Sequence, residues 1–116
     1  MLAGKRILVV EDEPLVAALV RRQLVSLGAA VVGPAPTVPR ALAMVAAGDF
    51  DAALLDLNLR GESARPVADA LRARGAPFAY ATGYGETPDD EDVPTIAKPF
   101  RVAQLDAALG AALAAA

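Results

Sequence analysis

The chain contains four short, largely apolar runs, and each one ends in a polar side chain. The runs are Ile7–Val10 followed by Glu11 and Asp12, Ala52–Leu55 followed by Asp56, Phe78–Ala81 followed by Thr82, and Thr95–Ala97 followed by Lys98. Runs of this length, bounded by turn-forming residues, are typical of buried strands in a parallel sheet. Because the ligands of such sheets bind beyond the carboxyl ends of the strands, the polar side chains should converge there. Three carboxylates, a hydroxyl and an ammonium group predict a site for a phosphate group and a divalent cation.

Stretches with helical periodicity separate these runs. The predicted helices run from Pro14 to Gly28, from Thr37 to Ala47, from Ser63 or Pro66 to Arg74, and from Val102 to about Ala114. One more short strand, Ala30–Gly33, follows the first helix and is predicted to be ended by Pro34 and Pro36. Strands that alternate with helices require right-handed crossovers. We therefore predict an α/β fold in one domain over residues 1–116, with a flavodoxin-like, doubly wound, five-stranded parallel sheet of order 2-1-3-4-5.

The connection between the last two strands is short and polar. Residues 83–93 include two glycines, one proline and five acidic residues, and they have no apolar periodicity. We expect an irregular loop there, with a fourth helix of at most about one turn.

Composition excludes several classes of function. The balance of 11 basic against 14 acidic residues gives a net charge of −3, and no basic run indicates a nucleic-acid partner. The chain contains no cysteine, which excludes disulfides and thiolate metal sites. It also contains no histidine, so any phosphohistidine donor must be another protein. No apolar stretch is long enough to cross a membrane, and we expect a cytoplasmic protein without a membrane or nucleic-acid partner.

The order of these polar residues resembles the receiver domain of two-component response regulators. The resemblance runs from Arg6 to the last helix and depends on the acidic pair, the single Asp56, Thr82 and the Lys98-Pro99 step. The segment from Pro77 to Tyr84 is also similar to a receiver subgroup, often single-domain, in which the fourth strand ends in an aromatic-Ala-Thr-Gly-aromatic motif.

This resemblance implies a role for each site residue. Asp56 would be the phosphoacceptor, and Thr82 and Lys98 would bind the phosphoryl group. The cofactor would be Mg²⁺, held by Asp12 directly, by Glu11 through water, by Asp56 and by the backbone carbonyl of Asn58. In one respect the chain departs from the family, because Thr95 stands where receivers commonly have a tyrosine or phenylalanine switch.

The resemblance also implies the partners. The chain would take its phosphoryl group from a histidine kinase or a histidine phosphotransfer protein, and it would signal by protein contacts rather than act as an enzyme. Leu15, Ala18, Arg22 and Phe100 are candidates for the face that docks this partner.

Two alternatives remain open from the sequence. A Mg²⁺-dependent phosphohydrolase of the haloacid type also uses an aspartate at a strand end, together with threonine and lysine. Such an enzyme normally has a second aspartate two residues after the first, where this chain has Asn58. Alternatively, a receiver module cut from a hybrid histidine kinase would have the same sequence features.

Overall fold

A computed structural model of the protein describes residues 2–83, 86–88 and 92–116. Its main strands are β1 (Arg6–Val10), β2 (Ala30–Ala35), β3 (Ala52–Asp56), β6 (Phe78–Thr82) and β7 (Thr95–Ala97), and a small hairpin contains β4 (Asn58–Leu59) and β5 (Glu62–Ser63). The helices are α1 (Pro14–Ser26), α2 (Val38–Ala47), α3 (Arg65–Ala73) and α4 (Val102–Ala115). The main sheet is parallel, with the order β2-β1-β3-β6-β7. This confirms the predicted flavodoxin-like order, because the hairpin changes only the numbering.

Both faces of the sheet are covered, which explains why its strands are continuous apolar runs. Successive side chains of a strand point to opposite faces, so Ile7 and Val9 join one core cluster while Leu8 and Val10 join the other. The first cluster includes side chains from α1 and α4, and the second includes side chains from α2 and α3. Because both faces of the sheet are covered, polar side chains that bind a ligand are expected at the two ends of its strands.

Strand β2 is longer than the sequence predicted. It continues past Gly33 and the cis Gly33–Pro34 peptide bond to Ala35, with a shift of register between Leu8 and Val10 of β1. The prediction that the strand stops at Gly33, before Pro34, is therefore wrong, whereas Pro36, the other predicted stop, directly follows the observed end. β2 is an edge strand, and proline is tolerated at edges and bulges because no second neighbour needs its missing N–H. The extension also lets the Glu11 N–H donate to the Ala35 carbonyl at 3.1 Å, which fixes the start of the loop after β1.

The β4–β5 hairpin directly follows β3 and was not predicted. Its two-residue turn places Arg60 at φ 54° and Gly61 at φ 81°. Two consecutive positive φ angles are typical of a type I′ turn, for which Asn-Gly is the usual sequence signal. Arg-Gly lacks that signal, so this turn was not recognised in the sequence.

The connection between β6 and β7 agrees with its prediction as far as the structure describes it. Gly83, residues 86–88, Asp92 and Val93 belong to no helix or strand. Residues 84, 85 and 89–91 lie outside the described residues, and the prediction for them stays untested. Within the described ranges, no helix has the length and apolar character needed to span a bilayer.

Candidate functional site

Three carboxylates meet at the carboxyl ends of the two central strands. Glu11 and Asp12 follow β1, and Asp56 is the last residue of β3, where Val10 lies opposite Leu55. The three residues bring carboxylate oxygens within 4.8 Å of one another. Glu11 and Asp56 are each only 4% exposed, whereas Asp12 is half-buried. The predicted convergence of these side chains is therefore present in the structure.

Lys98 lies between two of these carboxylates. Its Nζ atom is 2.8 Å from Oε1 of Glu11 and 3.1 Å from Oδ2 of Asp56. The lysine follows β7 and precedes a cis Lys98–Pro99 peptide bond, and its own N–H donates to the Thr82 carbonyl at 2.8 Å. The backbone bond to β6 holds the lysine at the same sheet edge as Asp56.

Burial and charge alter the protonation of this cluster. Burial raises the pKa of Glu11 to about 7, although the hydrogen bond from Lys98 opposes the shift. Burial likewise raises the pKa of Asp56, while the Lys98 charge acts in the other direction. Burial on its own lowers the pKa of Lys98, but the hydrogen bond to Glu11 and the charge of Asp56 outweigh it and raise that pKa. The pKa values of Glu11 and Asp56 are thus raised mainly by burial, and Lys98 offsets that rise only in part.

A divalent cation fits this environment. The cluster offers only carboxylate oxygens, the donors that Mg²⁺ prefers. The Lys98 ammonium contacts Glu11 and Asp56, so one positive charge faces three acidic groups. Two carboxylates about 4 Å apart repel by roughly 4 kcal/mol at an effective dielectric of about 20, and a bound cation would relieve that repulsion.

The β4–β5 hairpin forms one wall of the cluster. The Arg60 N–H donates to Oδ2 of Asp12 at 3.1 Å, and the Asn58 N–H lies 3.4 Å from Oδ1 of Asp56. The Asn58 side-chain oxygen accepts a hydrogen bond from the Gly61 N–H at 2.8 Å, so it is held within the turn. The hairpin therefore orients Asp12 through its backbone, a contact that the sequence did not reveal.

Thr82 ends β6, next to β3. It is 4% exposed, and its hydroxyl lies 3.4 Å from the carbonyl oxygen of Ile96, which belongs to β7. Because Ala81 is the partner of Asp56 across the strands, Thr82 lies one residue beyond the level of that carboxylate. Thr95, which occupies the position of the usual aromatic switch, is exposed and donates its hydroxyl to the Val93 carbonyl at 3.1 Å.

Glu86 is a site residue that sequence reasoning missed. It lines a cavity of about 270 Å³ together with Asp12, Asp56 and Lys98. Its carboxylate accepts a hydrogen bond from the backbone N–H of Gly83. The segment around Glu86 has no periodic pattern, so no signal in the sequence distinguishes it from the other acidic residues of residues 83–93.

A second, largely apolar cavity of about 300 Å³ adjoins Lys98. Its lining includes Val16, Leu19, Pro99 and Phe100. On α1, Leu15 is 85% exposed, and Ala18 and Arg22 are also exposed, as a docking face requires. Phe100 is only 6% exposed and belongs to the core cluster under α1 and α4, so it would contribute to a docking face only through its part in the lining of this cavity.

The sequence matches a family model described as the response regulator receiver domain over residues 7–110. Among curated proteins, the transcriptional regulatory protein TcrA of Mycobacterium tuberculosis is 37% identical over 121 aligned positions. This alignment covers 94% of the chain and 46% of TcrA, so the chain spans about half the length of the curated relative that it matches.

Solved structures of similar sequence share this fold. The solution structure of SdrG from Sphingomonas melonis is 45% identical with a TM-score of 0.86, and the match covers 97% of this chain and 99% of SdrG. The receiver domain of the sensor histidine kinase PA1611 from Pseudomonas aeruginosa is 27% identical with a TM-score of 0.83, covering 97% of this chain and 99% of that domain. That crystal structure contains a magnesium ion coordinated in the active site cleft.

Proposed function

Because the chain belongs to the response regulator receiver domains of two-component signalling, we propose that it accepts a phosphoryl group on Asp56. The observation that supports this most directly is the position of Asp56. It is a buried carboxylate at the end of a central strand, in contact with the Lys98 ammonium and beside the carboxylates of Glu11 and Asp12. A carboxylate is a weak nucleophile, and it reacts with a phosphoryl group only where positive charge offsets the charge of both groups.

In the physiological transfer, the phosphohistidine donor lies outside this chain, which has no histidine. An oxygen of the Asp56 carboxylate forms a bond to phosphorus while the bond between phosphorus and the imidazole nitrogen breaks, and the imidazole leaves with that electron pair. The product on this chain is an acyl phosphate. Lys98 already contacts the attacking carboxylate, so its ammonium is placed to bind an oxygen of the incoming phosphoryl group.

Four groups of this chain would hold Mg²⁺: the carboxylates of Glu11, Asp12 and Asp56, and the backbone carbonyl of Asn58. When bound, the ion supplies positive charge that reduces repulsion between the carboxylates and the phosphoryl oxygens. The chain's own residues prepare the site, because Arg60 orients Asp12 through its N–H and Lys98 holds Asp56 and Glu11 in place. Thr82 would donate its hydroxyl to a phosphoryl oxygen after it leaves the Ile96 carbonyl, a bond that is long at 3.4 Å.

The phosphohistidine donor would be a histidine kinase or a histidine phosphotransfer protein. It would dock on α1 and the loop after β7, where an apolar cavity adjoins Lys98 and Leu15 is 85% exposed.

A phosphohydrolase of the haloacid type is the weaker interpretation. Position 58 has an asparagine in place of the second aspartate of such an enzyme, and its side-chain oxygen is engaged by the Gly61 N–H. As a receiver, the phosphorylated chain would signal through contacts with a downstream protein.

Labelling with acetyl phosphate in the presence of Mg²⁺ tests the proposal. We expect one phosphoryl group per chain, located at Asp56 by borohydride reduction and mass spectrometry, and no labelling of Asp56→Asn. Asp51→Asn is a matched control, since Asp51 lies just before the same strand at the opposite edge, where it accepts a hydrogen bond from the Arg6 N–H. Equal labelling of the wild-type protein and Asp56→Asn would reject the assignment, and steady turnover of phosphomonoesters would favour the hydrolase.

A further inference from the structure

Glu86 binds a backbone donor at the edge of the proposed phosphorylation site. The Gly83 N–H donates to Oε1 of Glu86, and the Glu86 N–H donates to the Gly83 carbonyl at 3.3 Å. Gly83 and Glu86 are therefore joined by two hydrogen bonds, one to the carboxylate and one between their backbones. Gly83 and Glu86 are both partly buried.

This turn lies next to the proposed phosphoacceptor. Gly83 directly follows β6, whose Ala81 is opposite Asp56 in the neighbouring strand β3. Adjacent strands are about 4.8 Å apart, which is comparable to the reach of a phosphoryl group attached to a carboxylate. Gly83 and Glu86 also line the same cavity of about 270 Å³ as Asp56 and Lys98. An anion on Asp56 and the carboxylate of Glu86 would thus share one small volume.

We propose that Glu86 occupies, in the unphosphorylated protein, a backbone donor that a phosphoryl oxygen on Asp56 takes after phosphorylation, so that the two anions exclude each other. This inference rests on the proposed function. One N–H donates fully to one acceptor, and two negative groups in one cavity repel, so binding of either anion weakens binding of the other. By linkage, the coupling is reciprocal: phosphorylation displaces Glu86, and anything that holds Glu86 in place opposes phosphorylation.

Displacement of Glu86 has a structural consequence beyond the site. Residues 86–88 line a cavity of about 390 Å³ that is also bounded by Leu57, Ala64 and Tyr80. When the Glu86 carboxylate no longer accepts from the Gly83 N–H, residues 86–88 lose one of the hydrogen bonds that hold them next to the end of β6. The chain thereby has a route from the phosphoryl group to its surface that does not require an aromatic residue at Thr95.

Beryllofluoride, a phosphoryl mimic, tests this competition at saturating Mg²⁺. Its affinity and the amide resonance of Gly83 are measured by NMR in the wild-type protein and in Glu86→Gln, Glu86→Asp and Glu13→Gln. Glu86→Gln removes the charge of the competitor. Glu86→Asp keeps the charge but shortens the side chain by one methylene, which breaks the bond to Gly83. Glu13 lines the same cavity, but the Gly83 N–H donates to Glu86, so Glu13→Gln removes one charge and leaves that hydrogen bond in place.

We expect beryllofluoride to bind both Glu86 variants about three- to tenfold more tightly than the wild-type protein, as loss of a charge-assisted competitor implies. Without beryllofluoride, the Gly83 amide resonance should move upfield in both variants and stay in place in Glu13→Gln. Unchanged affinity and an unchanged Gly83 resonance in the Glu86 variants would overturn the inference. Equal tightening in Glu86→Gln and Glu13→Gln, with none in Glu86→Asp, would also overturn it, because charge alone would then explain the effect.

The two proposals fail in different ways. If beryllofluoride does not bind the wild-type protein, or binds Asp56→Asn equally well, the proposed function is wrong. If it binds the wild-type protein through Asp56 and the Glu86 variants behave like the wild type, only the role of Glu86 is wrong.

Discussion

Glu11→Gln should stabilise the metal-free protein, and the stabilisation should be larger at high pH than at low pH. Burial raises the pKa of Glu11 from its ordinary value of 4.5 to about 7 in the folded protein. The folded state therefore holds a proton that the unfolded state releases between these values, and stability is lost as the pH rises through the folded pKa. Glutamine resembles the protonated acid in shape and charge, and its amide oxygen can still accept from Lys98.

The size of the effect follows from this shift. Raising a pKa from 4.5 to about 7 corresponds to about 3 kcal/mol of lost stability once the group is fully ionised in both states. At pH 8 nearly all of this cost is present, whereas at pH 5 the same relation gives about 1 kcal/mol. The stabilisation by Glu11→Gln should thus grow by about 2 kcal/mol between pH 5 and pH 8.

Urea denaturation in the presence of EDTA, at pH 5 and pH 8, measures this difference. The matched comparison repeats both titrations in saturating Mg²⁺, where the ion compensates the charge of Glu11 and the advantage of glutamine should disappear. If Glu11→Gln destabilises the metal-free protein at pH 8, or if its effect is the same at both pH values, burial does not dominate the energetics of Glu11.

Two further changes test the metal site and the hairpin. Mg²⁺ should raise the melting temperature of the wild-type protein, because a ligand that binds only the folded state stabilises it by mass action, and Asp12→Ala should abolish that rise. Scanning fluorimetry measures both shifts, and a shift of wild-type size in the variant would exclude Asp12 as a ligand. Arg60→Asn should raise the free energy of unfolding by about 0.5–1 kcal/mol, since asparagine tolerates the positive φ of 54° better than arginine does. Urea titration checks the second change, and a loss of stability would mean that the arginine side chain contributes more than its backbone conformation costs.

The fold and the identity of the clustered residues could be predicted because backbone topology controls both. Parallel strands place all of their carboxyl ends at one edge, so Glu11, Asp12, Asp56 and Lys98 had to come together once the strands were recognised. The apolar runs were recognisable because a sheet covered on both faces needs apolar side chains at every position of a strand. The predicted end of the second helix at Ala47 is likewise confirmed, because the next residue, Gly48, has a φ of 70°, a conformation that glycine adopts readily and that ends a helix.

Contacts that depend on irregular backbone could not be predicted. The hairpin at Arg60 and Gly61 lacks the usual turn signal, yet its N–H groups orient Asp12 and engage Asn58. The bond between Gly83 and Glu86 arises in a segment whose acidic residues look equivalent in the sequence. The raised pKa of Glu11 likewise depends on how completely the side chain is enclosed. Sequence alone thus determined which strand-end groups meet at the edge of the sheet, because the direction of the parallel strands places them there. Only the tertiary structure decided how each group is hydrogen-bonded and desolvated, because those properties arise from loops packed against residues distant in the chain.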